Sequence, residues 1–185
     1  YKGEFPVKDK TFIALIGATE PSTSGVQKAV NWGKELAKQD VVVVSGLAKG
    51  IDAAGHIGCL TAKGKTYAIL GSGLFNIYPP ENRSLAEEIT KNGALISEAP
   101  TNSPVSVGQL MARNRIIVGL AQAVIIVEEN TEKAGVSEAA EKAIEQGRPL
   151  FVIESENKAA LEKWVNKGAI LLRETEELEL LLKLV

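Results

Sequence analysis

The sequence predicts an α/β fold in which a mainly parallel sheet lies between layers of helices. Two observations predict it. Short apolar runs of four to seven residues alternate along the 185-residue chain with amphipathic stretches of ten or more, the pattern of strands joined by crossover helices. One of the runs, Val41 to Ser45, carries four consecutive valines without polar alternation, as suits a strand buried on both faces.

The elements follow in order. Thr11 to Gly17 is the first expected strand and Val41 to Ser45 the second. Thr66 to Gly71, Ala94 to Ser97, Ala123 to Glu128 and Leu150 to Ile153 come next, and Ala169 to Leu172 forms a short last strand. Between the first two, Ser22 to Gln39 places Val26, Ala29, Val30, Gly33, Leu36 and Ala37 on one face at helical spacing. Helices over Asp52 to Ala62, Asn82 to Lys91, Val107 to Leu120 and Val136 to Gln146 take the later crossovers. Asn157 to Asn166 is a further helix with Gly168 as its C-cap. Thr175 caps a leucine-rich terminal helix from Glu174 to Val185, whose leucines exceed one narrow stripe. No repeat or low-complexity linker interrupts the chain, and Pro100 to Pro104 reads as a long loop, so residues 1–185 are expected to form a single domain.

Composition narrows the function classes. At 45% hydrophobic and 24% charged the chain has ordinary globular composition. No apolar run approaches the roughly 20 residues of a membrane span, and no signal-peptide pattern opens the sequence. Cys59 is the single cysteine, so neither an internal disulfide nor a cysteine-rich metal site can form, and a cytoplasmic location is expected. The net charge of −2 requires any nucleic-acid contact to come from a local cluster of cations.

In an open parallel sheet, ligands bind beyond the carboxyl ends of the strands, where strand order reverses. The loops following the strands are therefore the informative segments. After the first strand, Gly17, Thr19 and the hydroxyls of Ser22 to Ser24 precede a helix whose free N–H groups attract anions, although Ser22 or Ser24 equally serves as its cap. After the second, Gly46 and Gly50 bracket Lys49 ahead of a helix that Asp52 is placed to cap, so amides and one ammonium can converge on a phosphate. After the third, Gly71-Ser72-Gly73 permits close backbone approach but is not the dinucleotide fingerprint, since Asn76 stands where its last glycine belongs. Asn82, further along, reads as an N-cap as readily as a contact. Finally, Arg113, Asn114 and Arg115 sit inside an otherwise apolar helix. Residues two apart on a helix point in different directions, so the two arginines serve separate partners: a phosphate, or an internal carboxylate such as Asp52, Glu98 or Glu128.

A catalytic set is not legible. His56 is the one histidine, and no metal-binding histidine pair, serine elbow or P-loop is present. Glu128, Glu129 and Glu138 cluster near one strand end and offer an acid site, but read more simply as loop and first-turn charges favoured by the helix dipole. No catalytic residue, metal or cofactor is assigned.

Three blocks taken together carry a resemblance. Ser45 to Asp52 with His56, Gly71 to Gly73 with Tyr78 to Asn82, and Arg113 to Leu120 resemble the DprA/Smf family in order and spacing, and the likeness spans roughly Ile13 to Ile153. It implies an extended Rossmann-like three-layer fold that binds single-stranded DNA in a basic pocket and passes it to the recombinase RecA, in natural transformation or recombination, without turnover. It also implies a homodimer. Carried over by position, Lys49 is the pocket's basic residue, Gly71 and Gly73 its glycine floor, and Arg113 to Arg115 its arginine block.

Two departures bear on affinity. The family's Gly-Ser-Arg after the first strand is Gly17-Ala18-Thr19, which removes a DNA-contacting arginine. The phenylalanine and extra basic residue that usually precede the arginine block are absent from Gln109 to Ala112. The resemblance therefore implies weaker DNA binding than the family norm. The alternatives are a nucleotide-binding module, which the lost arginine and low charge would suit, and a nucleotide phosphoribohydrolase of the lysine-decarboxylase-like group. The latter's PGGxGTxxE pattern, laid over Asn130 to Ala139, puts its glutamate position on Ala139, and Glu138 is turned from it by about 100° on a helix.

Overall fold

The four-valine run lies in the interior of the sheet, with apolar layers against both of its faces. In the computed structural model, which describes residues 1–129 and 134–185, eight strands form one sheet in the order β1-β5-β4-β3-β2-β6-β7-β8. They are β1 (Lys2–Gly3), β2 (Phe12–Ile16), β3 (Val42–Ser45), β4 (Thr66–Ile69), β5 (Gly93–Ile96), β6 (Ala123–Ile126), β7 (Leu150–Ile153) and β8 (Ile170–Leu172). Seven pair in parallel, and β1 runs antiparallel to β5 through Lys2 opposite Leu95. The helices are α1 (Thr23–Lys38), α2 (Ile51–Thr61), α3 (Arg83–Ile89), α4 (Val107–Ala112), α5 (Asn114–Leu120), α6 (Ala134–Glu145), α7 (Lys158–Asn166) and α8 (Leu178–Leu182).

Period-two alternation divides the core. Ala14 and Ile16, Val42 and Val44, and Val124 and Ile126 face a layer containing Ile117, Ala140 and Trp164. Ile13 and Leu15, Val41 and Val43, and Ile125 pack on the other side against Trp32, Leu36, Ile51 and Leu178. A smaller cluster seats α3 through Ala86 and Ile89 on Ala68 and Leu95. The result is the three-layer α/β arrangement with a mainly parallel sheet. Strand order reverses between β2 and β6, whose carboxyl ends part the loops that follow them.

Several local expectations change. The helix expected over Val107 to Leu120 is two helices joined at Arg113, where the N–H groups of both Ile116 and Ile117 turn to the Arg113 carbonyl, at 2.8 and 3.2 Å. Ser22 caps α1, its Oγ accepting from Gly25 N at 2.9 Å. Asp52 does not cap α2, and Asn82 stands at the N-cap position of α3 without a side-chain capping bond; both side chains hold the 46–50 loop instead. Asn157 caps α7, and Gly168 follows its C-cap residue Lys167 at a φ of +94°. At the last turn Glu174, not Thr175, is the cap, in a reciprocal box with Glu177. Two-residue β1 had no pattern to reveal it. Of the terminal leucines, Leu178 and Leu181 are buried and Leu180 and Leu184 are not. No helix among the described residues is long and apolar enough to cross a membrane.

Helices α1 and α2 meet backbone to backbone. A Cβ added to Gly58 would lie 2.2 Å from the Val30 carbonyl oxygen, and one on Gly33 2.4 Å from that of Gly55. Gly58→Ala must therefore push the two helices apart. We expect a loss of about 1–3 kcal/mol in chemical denaturation; an unchanged midpoint would show that the helices separate freely.

Candidate functional site

Two buried side chains of opposite charge, Arg113 and Asp52, organise the strand ends through separate hydrogen bonds to the backbone. Arg113, at the joint between α4 and α5, turns inward. Its Nη1 donates to the Ile69 carbonyl at the end of β4, at 2.7 Å, and to the Gly46 carbonyl after β3. A side chain at Gly46 would lie 2.4 Å from the guanidinium, so only glycine admits it. Asp52, on the first turn of α2, accepts from Gly46 N at 3.1 Å and from Ala48 N at 3.4 Å. Burial pushes the Asp52 carboxyl upward, and the Arg113 guanidinium and these two N–H groups pull it back. Asn82 completes the loop, donating to Leu47 O at 2.9 Å and Ala48 O at 3.2 Å. That lets Leu47 hold a left-handed φ of 60° and Gly50 one of 75°.

Beneath this loop lies His56, fully buried. Thr66 Oγ1 donates to Val43 O at 2.7 Å, so it accepts from His56 Nδ1 at 2.6 Å, and the imidazole is the neutral Nδ1–H tautomer. Burial, and then the nearby Arg113 charge, lower its pKa to about 3. The histidine is a packed, uncharged strut. Cys59, on the same helix, donates its thiol to Lys65 O, and burial pushes its pKa up to about 12.

Against Arg113 and Asp52 opens a cleft of about 410 Å³ at the β2/β6 reversal. Gly17 and Thr19 follow β2 into it, Asp52, Arg113 and Asn114 form its buried polar side, and Ile16, Met111, Val136 and Ala139 give it apolar walls. Exposed Lys49 and Tyr78 stand at its mouth. Lys49 Nζ pairs with Glu81 Oε1 at 2.6 Å, both half exposed, and that hydrogen bond raises the lysine pKa. An incoming anion must compete with Glu81 for this ammonium.

The remaining residues singled out from sequence divide as follows. Asn114 donates to Glu138 Oε2 at 2.6 Å, and Glu138 also pairs with Lys142 at 3.1 Å. Arg115 pairs with Glu98 outside the cleft. Gly46 lies buried under Arg113, and Gly50 only shapes the turn. Gly71, Ser72 and Gly73 do not line the cleft: a Cβ on Gly71 would meet Leu110, one on Gly73 would meet the Pro100 carbonyl, and Ser72 Oγ donates to Asn76 O. The anion position at the start of α1 is filled by the protein itself, since the Glu128 carboxylate accepts from Ser22 N at 2.7 Å and Ser22 Oγ at 2.6 Å. Glu129 is buried, with Trp164 Nε1, Ser137 Oγ and Lys163 Nζ as donors. The three glutamates thus have separate partners and form no common acid site. Among the described residues no group of His, Cys, Asp or Glu is arranged to hold a metal ion. Of the stretch compared with the hydrolase pattern, residues 130–133 lie outside the described residues, and Ala139 faces the cleft. The apolar walls from Ile16, Met111 and Val136 carried no signal in the sequence, because they come from three distant segments.

Two outcomes test this geometry. Arg113→Met leaves Asp52 buried without its cation and should cost about 3–5 kcal/mol in urea denaturation, part of it recovered in the Arg113→Met/Asp52→Asn double variant. Below pH 6.5 the unfolded chain protonates His56 and the native protein does not, so this group's contribution falls as pH drops toward 3. His56→Asn, which keeps a donor toward Thr66, should lose about 2 kcal/mol less than the parent between pH 7 and pH 5. Equal losses would mean that the native histidine is already charged.

Comparison with known proteins agrees with these features. The family described as DNA recombination-mediator protein A matches residues 1–183. Protein Smf of Synechocystis sp. is 41% identical over 139 residues, 75% of this chain and 35% of that protein. DNA processing protein DprA of Bacillus subtilis is 38% identical over 141 residues, 76% of this chain and 47% of the relative. The chain thus spans about half or less of the length of these relatives. DNA processing protein A of Helicobacter pylori, whose structure concerns a single-stranded DNA binding mode, superposes with a TM-score of 0.89 at 28% identity, covering 98% of this chain and 85% of that one. With a matching fold and a family match that spans residues 1–183, the chain belongs to the DNA recombination-mediator protein A family, the DprA/Smf proteins.

Proposed function

We propose that the cleft at the β2/β6 reversal binds single-stranded DNA without chemical turnover. The observation that carries this reading is the pairing of an exposed ammonium, Lys49, with an exposed aromatic ring, Tyr78, at the mouth of an apolar-walled cleft. A phosphate suits the first and an unstacked base the second, whereas the bases of a duplex are already stacked on one another. Gly17, Thr19 and Asn114 line the path of the strand. Arg113 acts here as the support of the Lys49 loop, so that its loss disturbs binding through folding. The relatives' names and the single-stranded DNA described for the H. pylori protein support the reading. Delivery of the strand to RecA, a homodimeric state and a cytoplasmic location rest on the family resemblance alone.

A hydrolase would need a carboxylate where Ala139 faces the cleft, and Glu138 is committed to Asn114 and Lys142.

Lys49 is the exposed cation among the residues lining the cleft, so it should contribute only about −0.7 to the log–log salt slope. Fluorescence anisotropy with labelled oligo-dT and a duplex of equal length, at two salt concentrations, is the test. The single strand should bind more tightly, and Lys49→Ala should weaken it roughly tenfold, the scale of one charge-assisted hydrogen bond. No binding at micromolar protein would overturn the proposal and direct attention to nucleoside monophosphates.

A further inference from the structure

The loop that presents Tyr78 to the cleft presents a second aromatic ring in another direction. Phe75 is 68% exposed, the most exposed phenylalanine or tyrosine among the described residues. It is not loosely held. Phe75 N donates to Thr101 O at 3.0 Å, Gly73 N to Ser103 O at 2.9 Å, and Asn76 Nδ2 to Asn102 O at 2.7 Å, while Ser72 Oγ closes the loop on Asn76 O at 2.6 Å. The glycines and polar residues of the 71–76 segment therefore fasten it to the 100–103 loop and hold the ring in water.

Beside Phe75 is a recess of about 170 Å³ between this loop, α3 and the β1/β5 edge. Ile77 and Leu95 supply its apolar base, and Lys2 and Arg83 supply charge. Neither cation is ion-paired among the described residues, in contrast to Lys49 and Arg115. One carboxylate, Glu87, also borders the recess, so cations outnumber anions by two to one. The recess is too small to enclose a free ligand, for which pockets of about 300–1,000 Å³ are usual. It has instead the parts of a stacking platform: a fixed ring for a base and two free cations for a phosphate.

We propose that this recess is a second nucleotide position for the same single-stranded DNA, an inference that rests on the function proposed for the cleft. A strand seated at Lys49 and Tyr78 continues over the 75–78 loop, places a base on Phe75 and sets its phosphate between Lys2 and Arg83. Phe75 and Tyr78 are three positions apart, a Cα separation of at most about 11 Å, so a short run of the strand reaches both. The loop is the ridge between the two positions.

Anisotropy with two labelled dT lengths, a single nucleotide that can fill one position but not both and an oligomer of about twenty, tests the inference. Phe75→Ala should weaken the oligomer by about 5- to 150-fold, the range of one base–aromatic stack, and leave the single nucleotide unchanged. Phe75→Trp should retain long-oligomer affinity, and Arg83→Gln should reduce the salt slope for that oligomer by about 0.7. Unchanged affinity of Phe75→Ala for the longer strand, or equal loss on both lengths, overturns the second position. Either result leaves the cleft standing if Lys49→Ala still weakens both lengths. Failure of the parent protein to bind either length overturns both proposals.

Discussion

Everything at the ligand edge of this protein depends on the Arg113 guanidinium being buried beside Asp52. In a parallel sheet, the carbonyls at the strand ends and the loops beyond them lack the ladder partners that strand interiors enjoy. Arg113 supplies a multivalent donor at that boundary, tying the end of β4 to the loop after β3, while Asp52 gathers the N–H groups of the same loop. Neither charge is tolerable alone in the interior; each offsets the other's burial through its field, while their hydrogen bonds go to the backbone around them. The joint between α4 and α5, glycine at 46 and the left-handed turn at Leu47 all follow from seating this pair.

The pair also decides where charge remains for a ligand. Arg113 is spent inside, Arg115 is held by Glu98, and the positive end of α1 is occupied by Glu128. Lys49 is left at the cleft mouth with an exposed, solvent-screened partner that a phosphate can displace. Such a site relies on ring stacking and shape more than on charge, consistent with a chain of net charge −2. His56 and Cys59, the two residues that most invite a chemical role, are instead packing groups whose shifted pKa values keep both neutral near pH 7.

The sequence by itself determined the layered α/β plan, because its signals are local. The valines of β3, the alternation of apolar runs with amphipathic stretches and the Ser22 and Asn157 caps each act within a few residues and survive in the folded protein. The three family blocks were also visible in the chain, although not what each block does. Only the tertiary structure decided that. Arg113 and Arg115 are two residues apart and chemically alike, yet one is buried against Gly46 and the other stands at the surface with Glu98. The Gly71–Gly73 turn, expected as a ligand floor, packs against Leu110 and the 100–103 loop, and Glu128 reaches back more than a hundred residues to fill an anion position on α1. Side-chain roles at a sheet's carboxyl edge depend on which distant loop arrives beside them. That pairing is a long-range property which no window of sequence contains.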